Sequence, residues 1–138
     1  MTVVTWADER GAPSTTPLSP PPDHSAWLGF DRERLVSVRR MVSKFAINAG
    51  FTAARAIDLA TAVNEVATNS VMHGGGRGTL RMWKDGSTLL CEVRDAGRYA
   101  AGPPASGHGL WLANQLCDLM QVRMLEDGTV VRLHMKPG

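Results

Sequence analysis

Two Asp-Gly pairs, Asp85-Gly86 and Asp127-Gly128, fix much of what this chain can fold into, because each separates two runs whose apolar residues alternate. Such a pair between alternating runs is the strongest short-range signal for a β-hairpin, since the favoured turn needs positive φ at its central residues. The first hairpin is expected to join 79–84 to 88–94, with Leu89, Cys91 and Val93 on one face and Asp95 continuing that face at the strand end. The second is expected to join 119–125 to 129–135, with Thr129, Val131, Leu133 and Met135 sharing the inner face. An acid and a hydroxyl therefore enter one interior layer.

Helical periodicity accounts for the rest. Asp31 is placed to cap a helix in which Leu35, Val38, Val42, Phe45 and Ala49 recur at steps of three and four until Gly50. Thr52 is placed to cap a second, whose apolar stripe is Ala56, Leu59, Ala60, Val63, Val66, Ala67 and Val71, ending at Gly74-Gly75-Gly76. A third is expected from about 109 to 117, with Leu110, Ala113 and Leu116 or Cys117 inward. Helices first, antiparallel pairs after and one helix between predict a two-layer α/β sandwich, a mixed, mostly antiparallel sheet covered by helices. Residues 1–26, which hold Pro13, Pro17 and Pro20-Pro21-Pro22 among Ser and Thr, are expected to form a disordered tail ahead of one domain over 27–138.

Composition narrows the function classes. With 138 residues, 43% hydrophobic, 20% charged and a formal charge of +2, the chain fits one ordinary globule and gives no argument for a direct nucleic-acid partner. Cys91 and Cys117 form no metal or redox motif and are expected to be buried apolar residues. No apolar run approaches the ~18 residues of a membrane span, and 1–9 lacks a leader pattern, so a cytoplasmic protein without a membrane partner is expected.

Glu65 and Asn69 lie one turn apart and project from the non-apolar face of the second helix. An amide oxygen fits the modest protein share of a Mg²⁺ shell, and a nearby carboxylate can accept a proton from a hydroxyl or water. Asp95, buried at a strand end, needs a partner: the exocyclic amine of adenine with Thr129 and a water, or a turn capped by the acid itself. Gly97 gives backbone freedom beside it in either case. Gly107, His108 and Gly109 leave bare N–H groups at the start of the third helix, beside Leu110, where anions are favoured. The stretch 97–109, poor in bulky apolar anchors apart from Tyr99, is expected to be a lid over nucleotide. His73 and His108 would lie near the phosphates without acting as nucleophiles. Trp27, Trp83 and Trp111 read as packing residues and Arg39-Arg40 as a solvated edge.

The order Glu65…Asn69, Asp95-Ala96-Gly97, Gly107-His108-Gly109-Leu110 and Gly128-Thr129 resembles the GHKL ATPase superfamily. More narrowly, 64–74 and 107–118 resemble the bacterial anti-sigma factor serine kinases, over about 30–136 of this chain. The resemblance implies a Bergerat-type sandwich that binds ATP with Mg²⁺. It implies Glu65 as general base, Asn69 as both nucleotide contact and metal ligand, Asp95 and Thr129 at adenine and Gly97 at the purine pocket. Gly107, His108, Gly109 and Leu110 would surround the phosphates. The implied partners are a sigma factor held inactive, an anti-anti-sigma protein of the STAS type phosphorylated on serine, and a second copy of the chain docked through the first helix. Tyr99 occupies the place of the second glycine in the family's Asp-x-Gly-x-Gly, which keeps open a non-catalytic partner-switching module. A histidine kinase is disfavoured, because only one helix precedes the helix of Glu65.

Overall fold

The computed structural model describes residues 3–5, 15–97 and 109–138. Its elements are β1 (Val3–Thr5), β2 (Ala26–Asp31), α1 (Leu35–Asn48), α2 (Ala53–His73), β3 (Arg77–Asp85), β4 (Thr88–Asp95), α3 (Gly109–Leu116), β5 (Leu119–Leu125) and β6 (Gly128–Met135). The six strands form one sheet in the order β1-β5-β6-β4-β3-β2, with β1 parallel to β5 and every other pair antiparallel. Three helices pack on one face of it. This is the expected two-layer α/β sandwich with a mixed, mostly antiparallel sheet, and both Asp-Gly pairs turn hairpins as read from the sequence.

Local chemistry explains where the helices begin and end. Asp31 Oδ1 accepts the Arg34 N–H at 3.1 Å and opens a short 3-10 turn, Arg32–Arg34, that leads into α1. At the far end, Phe51 N–H reaches Ala46 O and Gly50 N–H reaches Ile47 O, both at 3.0 Å, while Gly50 takes φ +91°. This paired closure satisfies two orphan carbonyls and needs a left-handed residue, which glycine supplies without Cβ strain. Thr52 Oγ1 accepts Arg55 N–H at 3.2 Å and caps α2, an interaction worth about 1 kcal/mol. Four of the buried residues of α2 are alanines, Ala56, Ala60, Ala62 and Ala67, which let this central helix lie close to its neighbours.

The core lies between the helices and the inner sheet face. It joins Val38, Val42 and Ala46 of α1, Leu59, Val63 and Val66 of α2, Leu110 and Ala113 of α3, and Leu80, Met82, Leu89, Val93, Met120 and Leu133 of the sheet. Cys91 and Cys117 are free and buried here, as expected. Burial raises both thiols above their ordinary range, Cys117 to about 12.

The structure differs from the sequence reading at the amino-terminal side. Val3–Thr5 pairs with 119–121 of β5, and β2 begins at Ala26, inside the stretch expected to be a tail. Residues 15–25 run along the outer face of the sheet. Arg132 Nη2 of β6 donates to Ser19 O at 2.5 Å, Arg81 Nη1 of β3 donates to Ser25 Oγ at 3.1 Å, and Ser25 N–H closes a turn onto Pro22 O at 3.0 Å. The physical reason is that this outer face is itself partly apolar: Trp83, Leu90 and Val130 point outward by strand parity and are all buried. A proline-rich segment lacks the donors for a ladder but can lie across such a face. The remaining tail residues, 1–2 and 6–14, fall outside the described residues.

Candidate functional site

Asp95 ends β4 directly opposite Thr129 of β6, and both are buried, at 6% and 1% exposure. The inward placement read from strand parity is therefore observed. Asp95 Oδ2 accepts the Ser70 hydroxyl of α2 at 2.6 Å, and Oδ1 accepts Gly97 N–H at 2.9 Å. The second bond is the turn that an Asp two residues before Gly makes with its own backbone, so one of the two partners foreseen for this acid is present. Thr129 Oγ1 donates to Gly97 O at 2.9 Å, so the hydroxyl fastens the segment leaving β4 rather than the carboxylate.

Three glycines enclose this acid without side chains. A Cβ on Gly74 would lie 2.6 Å from Asp95 Oδ1 and overlap the rest of the carboxylate. On Gly97 it would lie 2.8 Å from His73 O, and on Gly128, whose φ is +144°, it would overlap the backbone carbonyl of Asp95. The end of α2 and the segment after β4 thus close on the carboxylate, and the β5–β6 turn closes on the backbone of the same residue.

Glu65 and Asn69 both lie on α2, partly exposed, and Asn69 immediately precedes Ser70. The helix therefore carries, within six residues, a solvent-facing carboxylate and amide and a buried hydroxyl that holds Asp95. Leu110 is buried in the core in the first turn of α3, so only its backbone N–H is placed to face an anion. Gly109 opens that helix, whereas Gly107, His108, Tyr99 and the expected lid lie outside the described residues. His73 is exposed at the last turn of α2.

Sequence reasoning missed Ser70 and Gly74. Ser70 stands on the apolar stripe of α2, four residues after Val66 and three after Ala67, and a hydroxyl on a buried stripe was the available signal. Gly74 reads from the sequence only as a helix terminator, which it is, its N–H reaching Ser70 O at 2.8 Å. Its closeness to Asp95 is tertiary and leaves no local trace.

Among the described residues, grooves also lie elsewhere. One of about 770 Å³ runs along β2 and the 75–79 turn, beside Trp27 and Arg34; another, of about 590 Å³, lies between α1 and α2 and is lined by Arg39, Arg40, Lys44, Ile47 and Ile57. Trp83 is buried, while Trp27 and Trp111 are 57% and 52% exposed. No group of three or more His, Cys, Asp or Glu side chains suited to a metal occurs among the described residues. Mg²⁺ held by one amide oxygen together with phosphates and waters requires no such group, so Asn69 fits the metal on its donor chemistry. No helix of the described residues is long and apolar enough to cross a membrane.

The fold is shared with known proteins. The family model of the histidine kinase-like ATPase domain matches residues 29–135. Among solved structures, the RsbU and RsbW domains of Rv1364c from Mycobacterium tuberculosis superpose with a TM-score of 0.68 at 19% identity, over 86% of this chain and 33% of that one. The histidine kinase AdeS of Acinetobacter baumannii superposes at 0.52 and 11% identity, over 82% of this chain and 68% of that one. The chain thus spans about a third of the length of the first of these. No curated protein matches it. With a matched region that begins inside β2 and ends at the last residue of β6, enclosing Glu65, Asn69, Asp95 and Thr129, the chain belongs to the histidine kinase-like ATPase domain family.

Proposed function

We propose that this chain binds ATP with Mg²⁺ at the Asp95 site and works as a partner-switching regulator. In this reading it holds a sigma factor inactive and phosphorylates a serine of an anti-anti-sigma protein of the STAS type. The observation that carries the reading is the enclosure of a buried acid by the backbones at Gly74, Gly97 and Gly128, with that acid bonded to Ser70 of the helix that bears a partly exposed Asn69 and Glu65. A purine amine is recognised by an acceptor fixed in a dry site, and Asp95, held by Ser70 and Gly97, is such an acceptor. Thr129, by fastening Gly97, sets the floor of the base pocket. The N–H groups of Gly109 and Leu110, with Gly107 and His108 before them, would meet the phosphates. Asn69 would supply the protein oxygen to Mg²⁺, and the ion would serve to neutralise phosphate charge.

Glu65 is assigned the proton transfer. It accepts the proton of the attacking serine hydroxyl as that oxygen bonds to the γ-phosphorus; the bond from phosphorus to the bridging oxygen breaks, and ADP leaves with the electron pair. The relationship to a structure containing an RsbW domain supports the partner-switching part. A second copy would dock through α1, on which Val36 and Ile47 are 46% and 48% exposed.

Tyr99, standing in place of a family glycine, favours a second reading in which the same fold switches partners without phosphoryl transfer. Incubation with labelled ATP, Mg²⁺ and candidate STAS proteins separates the two. Transfer to serine that is lost in Glu65→Ala supports the kinase. Nucleotide binding without transfer to any partner supports the module, and an unchanged melting temperature with saturating ATP and Mg²⁺ would overturn the kinase and leave the module, which binds nucleotide weakly or not at all.

A further inference from the structure

We propose that the outer face of the sheet is a recognition surface for a proline-rich extended segment, and that this chain fills it with its own residues 17–22 as an exchangeable cover. The surface is built around a ladder in which Glu92 of β4 stands opposite Arg132 of β6, joined by Nη2–Oε1 and Nε–Oε1 contacts of 2.6 and 2.9 Å. Beside it Trp83 stands opposite Leu90, and the Arg132 guanidinium lies 5.0 Å from the Trp83 ring centroid. The result is an aromatic shelf edged by a planar cation, which still has an N–H to offer and directs it at Ser19 O.

The occupant matches that chemistry. Pro17-Leu18-Ser19-Pro20 is followed by Pro21 and Pro22, a spacing that favours the left-handed extended helix of three residues per turn. Such a helix makes no internal hydrogen bonds, so its carbonyls must be met from outside, and aromatic-lined surfaces with a donor are how folded domains read it. Arg132 is that donor and Trp83 that shelf.

Exchangeability follows from where the burial falls. None of residues 15–25 is fully buried; Leu18, Pro21 and Pro22 are half-buried and Pro17, Ser19 and Pro20 exposed. Underneath, Glu92, Arg132, Leu90 and Trp83 are all at or below 7% exposure. The cover places no side chain in the main core, so it can leave without unfolding the sandwich, while the face beneath favours being covered. Local opening free energies are set by that kind of asymmetry.

The test uses the full chain with Pro17, Pro20, Pro21 and Pro22 all changed to Ala, read by the indole N–H signal of Trp83, which is assigned by its absence in Trp83→Phe. In the four-Pro variant the signal is expected to move and to exchange with solvent about tenfold faster. A peptide of residues 15–25 added in trans returns it, whereas the same peptide with its four prolines replaced by Ala needs about tenfold more. A Trp83 signal identical to that of the unmodified chain, a peptide without effect, or equal action of the two peptides would overturn the proposal. Should the variant not fold, hydrogen exchange in the unmodified chain decides. Ser25 N–H opening well before the amides of β4 and β6 supports an exchangeable cover, and opening only together with them refutes it.

Discussion

Arg132→Met isolates what the outer face of the sheet contributes. Arg132 and Glu92 are 6% and 3% exposed, and the single change removes both donors to Glu92 Oε1 and the donor to Ser19 O. Breaking one side of a buried pair costs about 3–5 kcal/mol, because the remaining charge is left without compensation. With an unfolding entropy of about 2.1 cal/mol/K per residue, a chain of this length loses about 1 °C for each 0.29 kcal/mol, so Tm should fall by about 10–17 °C. The double variant Arg132→Met with Glu92→Leu removes the orphan and should recover at least about 2 kcal/mol, since apolar replacement of a buried pair is commonly neutral or better. Urea unfolding followed by both fluorescence and circular dichroism measures the parent, Arg132→Met, Glu92→Leu and the double variant. A single variant within about 1 kcal/mol of the parent, or a double variant equal to the sum of the singles, would refute the view that this face is dry.

Further expectations follow from the site and its surroundings. Ser70→Ala should cost about 1.5–3 kcal/mol in the same assay by taking the hydroxyl from a buried carboxylate, with nucleotide binding weakened as well. Asn69→Ala should leave the Tm of the free protein in place but abolish the rise of about 9 °C expected from ATP and Mg²⁺ at a hundredfold excess over Kd, measured by thermal shift. His134, bonded to Gln121 Oε1 at 2.7 Å, has its pKa lowered by burial first and by Arg132 second. Below about pH 6.5 its unfolded form therefore binds more protons than the folded one, so stability falls on acidification through that range, and His134→Gln should flatten the decline in a pH series of melts. Cys91 and Cys117, both held protonated by burial, should resist alkylation at pH 8 until the protein unfolds, as read by mass spectrometry.

What the sequence disclosed is what short-range physics governs. Thr52, Asp85-Gly86, Asp127-Gly128 and the stripe of α2 each act on residues within a turn or a strand, and each was found where its chemistry placed it. Strand parity by itself puts Asp95 and Thr129 in one layer, where the structure has them. Ser70 and Gly74 escaped because their roles depend on Asp95, 25 and 21 positions away, which no local pattern records. The placement of residues 15–25 is illegible for a related reason: their composition argues against internal structure, and their anchor, Arg132, lies 113 residues downstream of Ser19. β2 is hard to read from sequence although Ala26, Leu28 and Phe30 alternate with Trp27, Gly29 and Asp31, because the outward Trp27 blurs the period of two.

The closure of three backbones on Asp95 has a mechanical corollary. With no side chain between them to yield, Gly74, Gly97 and Gly128 are in van der Waals register with the acid and with each other's segments, and close-packed atoms transmit displacement instead of absorbing it. The end of the long helix, the exit of β4 and the distal hairpin therefore share a single pivot. A nudge at that pivot reaches three separate surfaces of the molecule at once.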